Sequence, residues 1–143
     1  MSSRTAWVDQ HGLRVLDREQ CFTHLERSAY GRLAFTRGDR CLVLPVVHAV
    51  VDDSICFRSS IGTKIGEAAV GVHCSFQVDD FDAGSGEGWS VLAHGPLTIV
   101  RDPSQVQRLE QMGVESPVRG ASQGRWVGMA VEEISGRELL RQP

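Results

Sequence analysis

The run from Cys41 to Val51, CLVLPVVHAVV, carries no formal charge and is broken only by Pro45 and His48. Apolar and rich in β-branched residues, it reads as a strand, and its flanks mark both ends. Before it, Arg37-Gly-Asp-Arg40 supplies a turn; after it, Asp52-Asp53 is a two-residue hairpin signal. Ser54 to Arg58 then returns as the next strand. Pro45 has no N–H for a ladder, so this strand should have an unpaired edge or a bulge there.

Strand patterns recur along the chain. Gly31 to Thr36 is short. Val72 to Asp79 alternates, with Val72, Cys74, Phe76 and Val78 inward and His73, Ser75, Gln77 and Asp79 outward. Trp89 to Val100 puts Trp89, Val91, Ala93, Leu97 and Ile99 on one face. Arg125 to Glu132 is a last strand, which Ile134 to Leu139 either extends or leaves. Asp17-Arg-Glu-Gln20 predicts a capped helix start, with Cys21, Phe22, Leu25 and Ala29 at helical spacing and Gly31 as its stop. Asp102-Pro-Ser-Gln105 predicts another, with Val106 and Leu109 inward and Gly113 as the stop. Ile65 to Val70 is a weaker third. About six strands, clustered and hairpin-linked, exclude regular β-α alternation and favour a small, mostly antiparallel barrel with peripheral helices.

At 143 residues the chain fits one domain, read as an arm over residues 1–16 and a domain over 17–143. A formal charge of −3 gives no footprint for nucleic acid. No stretch approaches the roughly 20 apolar residues of a membrane span, and the polar start MSSRTAWVDQHG lacks the order of a secretory signal. The expected location is cytoplasmic. Cys21, Cys41, Cys56 and Cys74 form no Cys-x-x-Cys pair; they read as small core residues rather than zinc ligands. Asp79, Asp80, Asp82 and Glu87 lack the spacing of an EF-hand and read as a solvated acidic loop. No metal site is expected.

The densest polar motif is FRSSIGTK, Phe57 to Lys64, which holds the chain's single lysine among 15 basic residues. Arg58 and Lys64, with hydroxyls from Ser59, Ser60 and Thr63, stand where a strand meets a short helix. Such a corner suits a phosphate dianion; a solvated turn accounts for it equally well. The stretch is neither a Walker loop nor a dinucleotide-binding glycine turn.

Taken with GRLAF, LVLPVVHAVVDDSICFRSSIGTK, GWSVLAHGPLTIV and WVGMAVEEISGREL in register, the chain resembles the pyridoxamine 5′-phosphate oxidase-like family from Asp17 to Leu139. The resemblance implies a mainly β, six-stranded split β-barrel with two or three short peripheral helices, a homodimer, and FMN at the subunit interface. It places Arg58, Ser59, Thr63 and Lys64 on the FMN phosphate. The main chain of Pro45, Val46, Val47 and His48 falls along the isoalloxazine edge, Ser90 near the flavin, and Arg137 in a Gly-Arg pair reaching across the dimer. His48 is either a flavin or substrate partner or a strand histidine satisfied by neighbouring backbone. Trp89 reads as core, and Trp126 as core or as a ring-stacking or dimer anchor.

The chain as given ends at Pro143 without the Arg- and His-rich segment of authentic pyridoxamine phosphate oxidases. It also carries His48 where they carry a basic residue. The expected function is therefore hydride or electron transfer on FMN between a reduced nicotinamide or other donor and a different small molecule. The alternative is a non-catalytic binding protein using the same pocket for F420, haem or stored flavin. Of these ligands haem is the least expected, since His73 and His94 lie on strands without matching partners.

Overall fold

The computed structural model describes residues 8–59, 71–114 and 125–140. Its elements run β1 (Arg14–Val15), α1 (Arg18–Arg27), β2 (Tyr30–Arg37), β3 (Arg40–Val47), β4 (Ala49–Val51) and β5 (Ser54–Ser59). They continue β6 (His73–Asp82), β7 (Glu87–Ile99), α2 (Pro103–Gln111), β8 (Arg125–Ala130) and β9 (Glu133–Leu139). The expected helix over 65–70 lies outside the described residues.

Mainly β with short helices is what the structure shows, but the expected six-stranded, mostly antiparallel split β-barrel is not. The sheet has, among the described residues, 9 strands in the order β3-β2-β6-β7-β8-β5-β4, with β9 on β7 and β1 on β9. Among the described residues the path ends at β3 and β4 without pairing them, so it does not close. The physical reason is a change of partner inside single apolar runs. Cys41–Val51, read as one strand, divides at His48: β3 pairs with β2, whereas β4 pairs with β5. Likewise the C-terminal run divides at Val131-Glu132, so that β8 takes both β5 and β7, and β9 takes β7. The short β1, inside the expected N-terminal arm, completes the count through Arg14↔Glu138 and Val15↔Arg137.

Local chemistry sets the helices as the sequence predicts. The Gln20 N–H donates to Asp17 Oδ1 at 2.8 Å while Gln20 Oε1 accepts from the Asp17 N–H at 2.9 Å, a reciprocal capping box. The Ser104 N–H donates to Asp102 Oδ1 at 3.0 Å, with Pro103 leading α2. Helix α1 stops at Arg27 with Ser28 as its cap, before the expected Gly31. Gly31 belongs to β2, where any Cβ would collide with the Phe76 ring.

The main core joins Leu25 and Phe22 of α1 to Leu33, Ile55, Phe76, Val91, Leu97 and Met129 from the strands. A second cluster on the opposite face of β4, β5 and β8 joins Val51, Cys56 and Trp126 to Leu109 of α2. Those three strands are thus covered on both faces, which agrees with the buried run Trp126–Met129 of β8. Among the described residues no helix is long and apolar enough to cross a membrane.

Candidate functional site

Strand β3 pairs with β2 alone among the described residues. Its Leu42, Leu44 and Val46 pack against the core, whereas Cys41, Val43 and Pro45 are exposed on the other face. Pro45 therefore stands on an edge strand, as its missing N–H requires. An edge also leaves main-chain donors and acceptors facing outward, the groups that a planar ligand with amide-like edges can use. Pro45, Val46 and Val47 stand opposite Arg32, Gly31 and Tyr30 respectively.

His48 ends this stretch facing inward. Its ring meets Phe76 edge-on at 4.8 Å, and Nε2 lies 2.8 Å from the Leu25 carbonyl oxygen. A carbonyl only accepts, so Nε2 carries the proton and donates. Nδ1 is buried, with no hydrogen-bond partner among the described residues. Burial pushes the imidazole pKa down and the Leu25 contact pushes it back up; burial is the larger effect. The ring is thus held inward by backbone and Phe76 and does not itself face the outer edge of β3.

Beyond His48 lies a cationic corner. Ala49 pairs with Cys56, so two residues further along each strand come Val47 and Arg58, and β3 touches β5. The Arg58 guanidinium sits over the Trp126 ring, 4.9 Å from its centroid, and Nη2 lies 3.4 Å from Glu110 Oε1. Trp126 is a member of the second core cluster, and its buried indole N–H has no partner among the described residues. Ser59 ends β5; its side chain, and Thr63 and Lys64 entirely, lie outside the described residues.

Ser90 and Arg137 are brought together elsewhere, as a direct pair across β7 and β9. Arg137 Nε donates to Asp9 Oδ2 at 3.0 Å and Nη1 to the Gly136 carbonyl at 2.9 Å, tying the N-terminal segment to β9. Ser90 Oγ accepts from Gln77 Nε2 at 3.3 Å, and the same amide donates to Asp79 Oδ2 at 2.7 Å. Arg32 Nη1 donates to Gln77 Oε1 at 3.0 Å and lies 3.4 Å from Asp79 Oδ1. A polar row thus crosses the outer face from Pro45 through Arg32 and Gln77 to Ser90. Beside it opens a cleft of about 510 Å³ lined by Tyr30, Arg32, Asp79, Trp89 and His24 among others. His24 stacks on Trp89, with centroids 3.8 Å apart and planes 21° from parallel. Trp89 also packs on the main core, as expected.

Arg32, Gln77 and His24 were not candidates from sequence. Gln77 and Asp79 were legible as outward residues of an alternating strand, but their meeting with Arg32 depends on the pairing of β2 with β6. The expected acidic loop is in part strand, since β6 runs to Asp82 and β7 begins at Glu87.

The family model described as Pyridoxamine 5′-phosphate oxidase matches residues 17–138. The chain belongs to that family. The matched region begins at the Asp17 cap and takes in the β3 edge, the Arg58 corner and the Ser90–Arg137 pair. An uncharacterized protein of Mycobacterium tuberculosis is 32% identical over 124 residues, covering 83% of this chain and 75% of its own. The structure of the FAD binding protein from Mycobacterium smegmatis superposes with a TM-score of 0.75 at 27% identity, covering 88% of this chain and 97% of that one. A conserved protein of unknown function from Corynebacterium diphtheriae matches with a TM-score of 0.73 at 26% identity, over 90% and 98% of the two chains.

Proposed function

We propose that this family member binds a flavin nucleotide and uses it to move hydride or electrons between a reduced donor, such as a nicotinamide, and a small-molecule substrate. The observation that carries this reading is the edge of β3, unpaired among the described residues, which ends next to β5, the strand that carries Arg58. Main-chain carbonyl groups between Pro45 and His48, and N–H groups of the residues after Pro45 that point away from β2, offer acceptors and donors to the pyrimidine side of the ring. Arg58, with Ser59, Thr63 and Lys64, serves the phosphate. The residues fit the group: an apolar strand edge leads to a cation, and the Trp126 N–H, without a partner among the described residues, adds a buried donor at that corner. The relative from Mycobacterium smegmatis is described as FAD binding, which supports a flavin; the FMN unit is common to both nucleotides, and FMN is the cofactor proposed here.

When bound, the flavin supplies the redox chemistry, and the chain binds it, orients it and limits water. Ser90 and Arg137 lie across β2 and β6 from the β3 edge, which favours their serving a second copy's flavin in a homodimer. The exposed Tyr30 and Val43, 58% and 56% accessible, give the β2–β3 face apolar surface for that contact.

The test is spectroscopic. Purified protein titrated with FMN should show bound-flavin bands near about 375 and 450 nm that bleach on adding NADH or NADPH. Arg58→Ala and Lys64→Ala should each weaken FMN binding by about 1.5–3 kcal/mol, the scale of a charge-assisted hydrogen bond. Unchanged affinity in the double variant removes the phosphate assignment, and a monomer that still holds FMN tightly removes the interfacial site.

A further inference from the structure

The contact between α2 and the β5 corner carries an inference of its own, one that rests on the flavin reading. Glu110, in the last turn of α2, places Oε1 3.4 Å from Arg58 Nη2, while the guanidinium carbon lies 4.9 Å from the centroid of the buried Trp126 ring. The Arg58 side chain is 20% accessible and Glu110 55% accessible. The cation is therefore confined by packing, and the carboxylate approaches it from the solvent side. Trp126, itself seated in the second core cluster, packs against the guanidinium whether or not position 110 is charged. Glu110 consequently adds charge more than it adds position.

We propose that Glu110 is a specificity-determining residue that lowers the positive charge which Arg58 offers to a flavin phosphate. A carboxylate beside the binding cation repels an incoming anion in proportion to that anion's charge. The terminal phosphate of FMN is mostly doubly ionised near neutrality, its second pKa being about 6. Each phosphate of FAD carries a single charge, and riboflavin carries none. The carboxylate thus penalises FMN most, FAD less and riboflavin not at all, so it narrows the preference of the corner for FMN.

The experiment compares Glu110→Gln with the unaltered protein by titrating each with FMN, FAD and riboflavin at low and high salt. Gln keeps the length and an acceptor oxygen and removes only the charge. The expected result is FMN affinity raised about two- to fivefold, the scale of a partly screened ion pair, with a smaller gain for FAD and none for riboflavin. The FMN gain should shrink at high salt, which a purely structural effect would not do. Unchanged or weaker FMN binding with riboflavin intact overturns the proposal, as do equal gains for the two nucleotides. Weakened riboflavin binding would mean that the substitution disturbs the fold, and Glu110→Ala, which should give the same order of gains, then decides. If the unaltered protein binds none of the three, it is the flavin reading that falls, a result distinct from all of these.

Discussion

Gly95 lies so close to Ala130 that a Cβ built on the glycine would overlap the alanine carbonyl oxygen. At this point β7 changes neighbours along one edge, pairing with β9 through His94 and with β8 from Leu97 onward. The chain turns from β8 to β9 at Val131-Glu132, and the Glu132 N–H donates to the His94 carbonyl at 2.9 Å. Only a residue without a side chain lets that corner reach the ladder.

Gly95→Ala should accordingly destabilise the fold by about 2 kcal/mol or more, since backbone rather than a flexible side chain must yield. Denaturant unfolding of the variant measures this; a loss within experimental error would show that the β8–β9 corner is not held against β7.

The Asp52-Asp53 hairpin adopts φ of 49° and 60°, the left-handed conformation at both central residues. Asp53→Gly relieves strain at the second position and gives up an exposed 3.4 Å pair with Arg18. The net expectation is a gain of about 0.5 kcal/mol, because exposed pairs contribute little. Thermal unfolding checks it, and a lower midpoint would mean that the link to α1 outweighs the turn.

His48 gives the stability a pH dependence. Its folded pKa is lowered by burial, partly offset by the Leu25 hydrogen bond. Below its ordinary value of 6.5 the unfolded chain takes up a proton that the folded protein resists. Stability is then fully present above that value and falls with acidification until the pH reaches the folded pKa. His24, also lowered chiefly by burial, contributes with the same sign. His48→Gln should flatten the acid limb of a midpoint-versus-pH curve; an unaltered limb would place the titration elsewhere.

The four cysteines do not all behave as core residues. Cys21, Cys56 and Cys74 are buried, but Cys41 is exposed at the start of β3. Burial, with Asp52 nearby, pushes the Cys56 thiol up to about 11, so it stays protonated and unreactive. A thiol reagent added to native protein should modify Cys41 fast and the three buried thiols only on unfolding, as mass spectrometry of a time course would show. Rapid modification at Cys56 would contradict the packing of α2 on β5.

Much of the architecture is written in short stretches of sequence. The Asp17 and Asp102 caps, the paired aspartates of the hairpin, the alternation through Phe76 and Val78 and the edge demanded by Pro45 depend on neighbours a few residues away. Tertiary structure alone decided where an apolar run exchanges one partner strand for another, as at His48 and again at Val131-Glu132. It also decided that Arg32, Gln77 and Ser90 share a polar row, and that Glu110 meets Arg58. These contacts join residues far apart in the chain, and no local pattern records them, because strand pairing is chosen by the packing of the whole sheet.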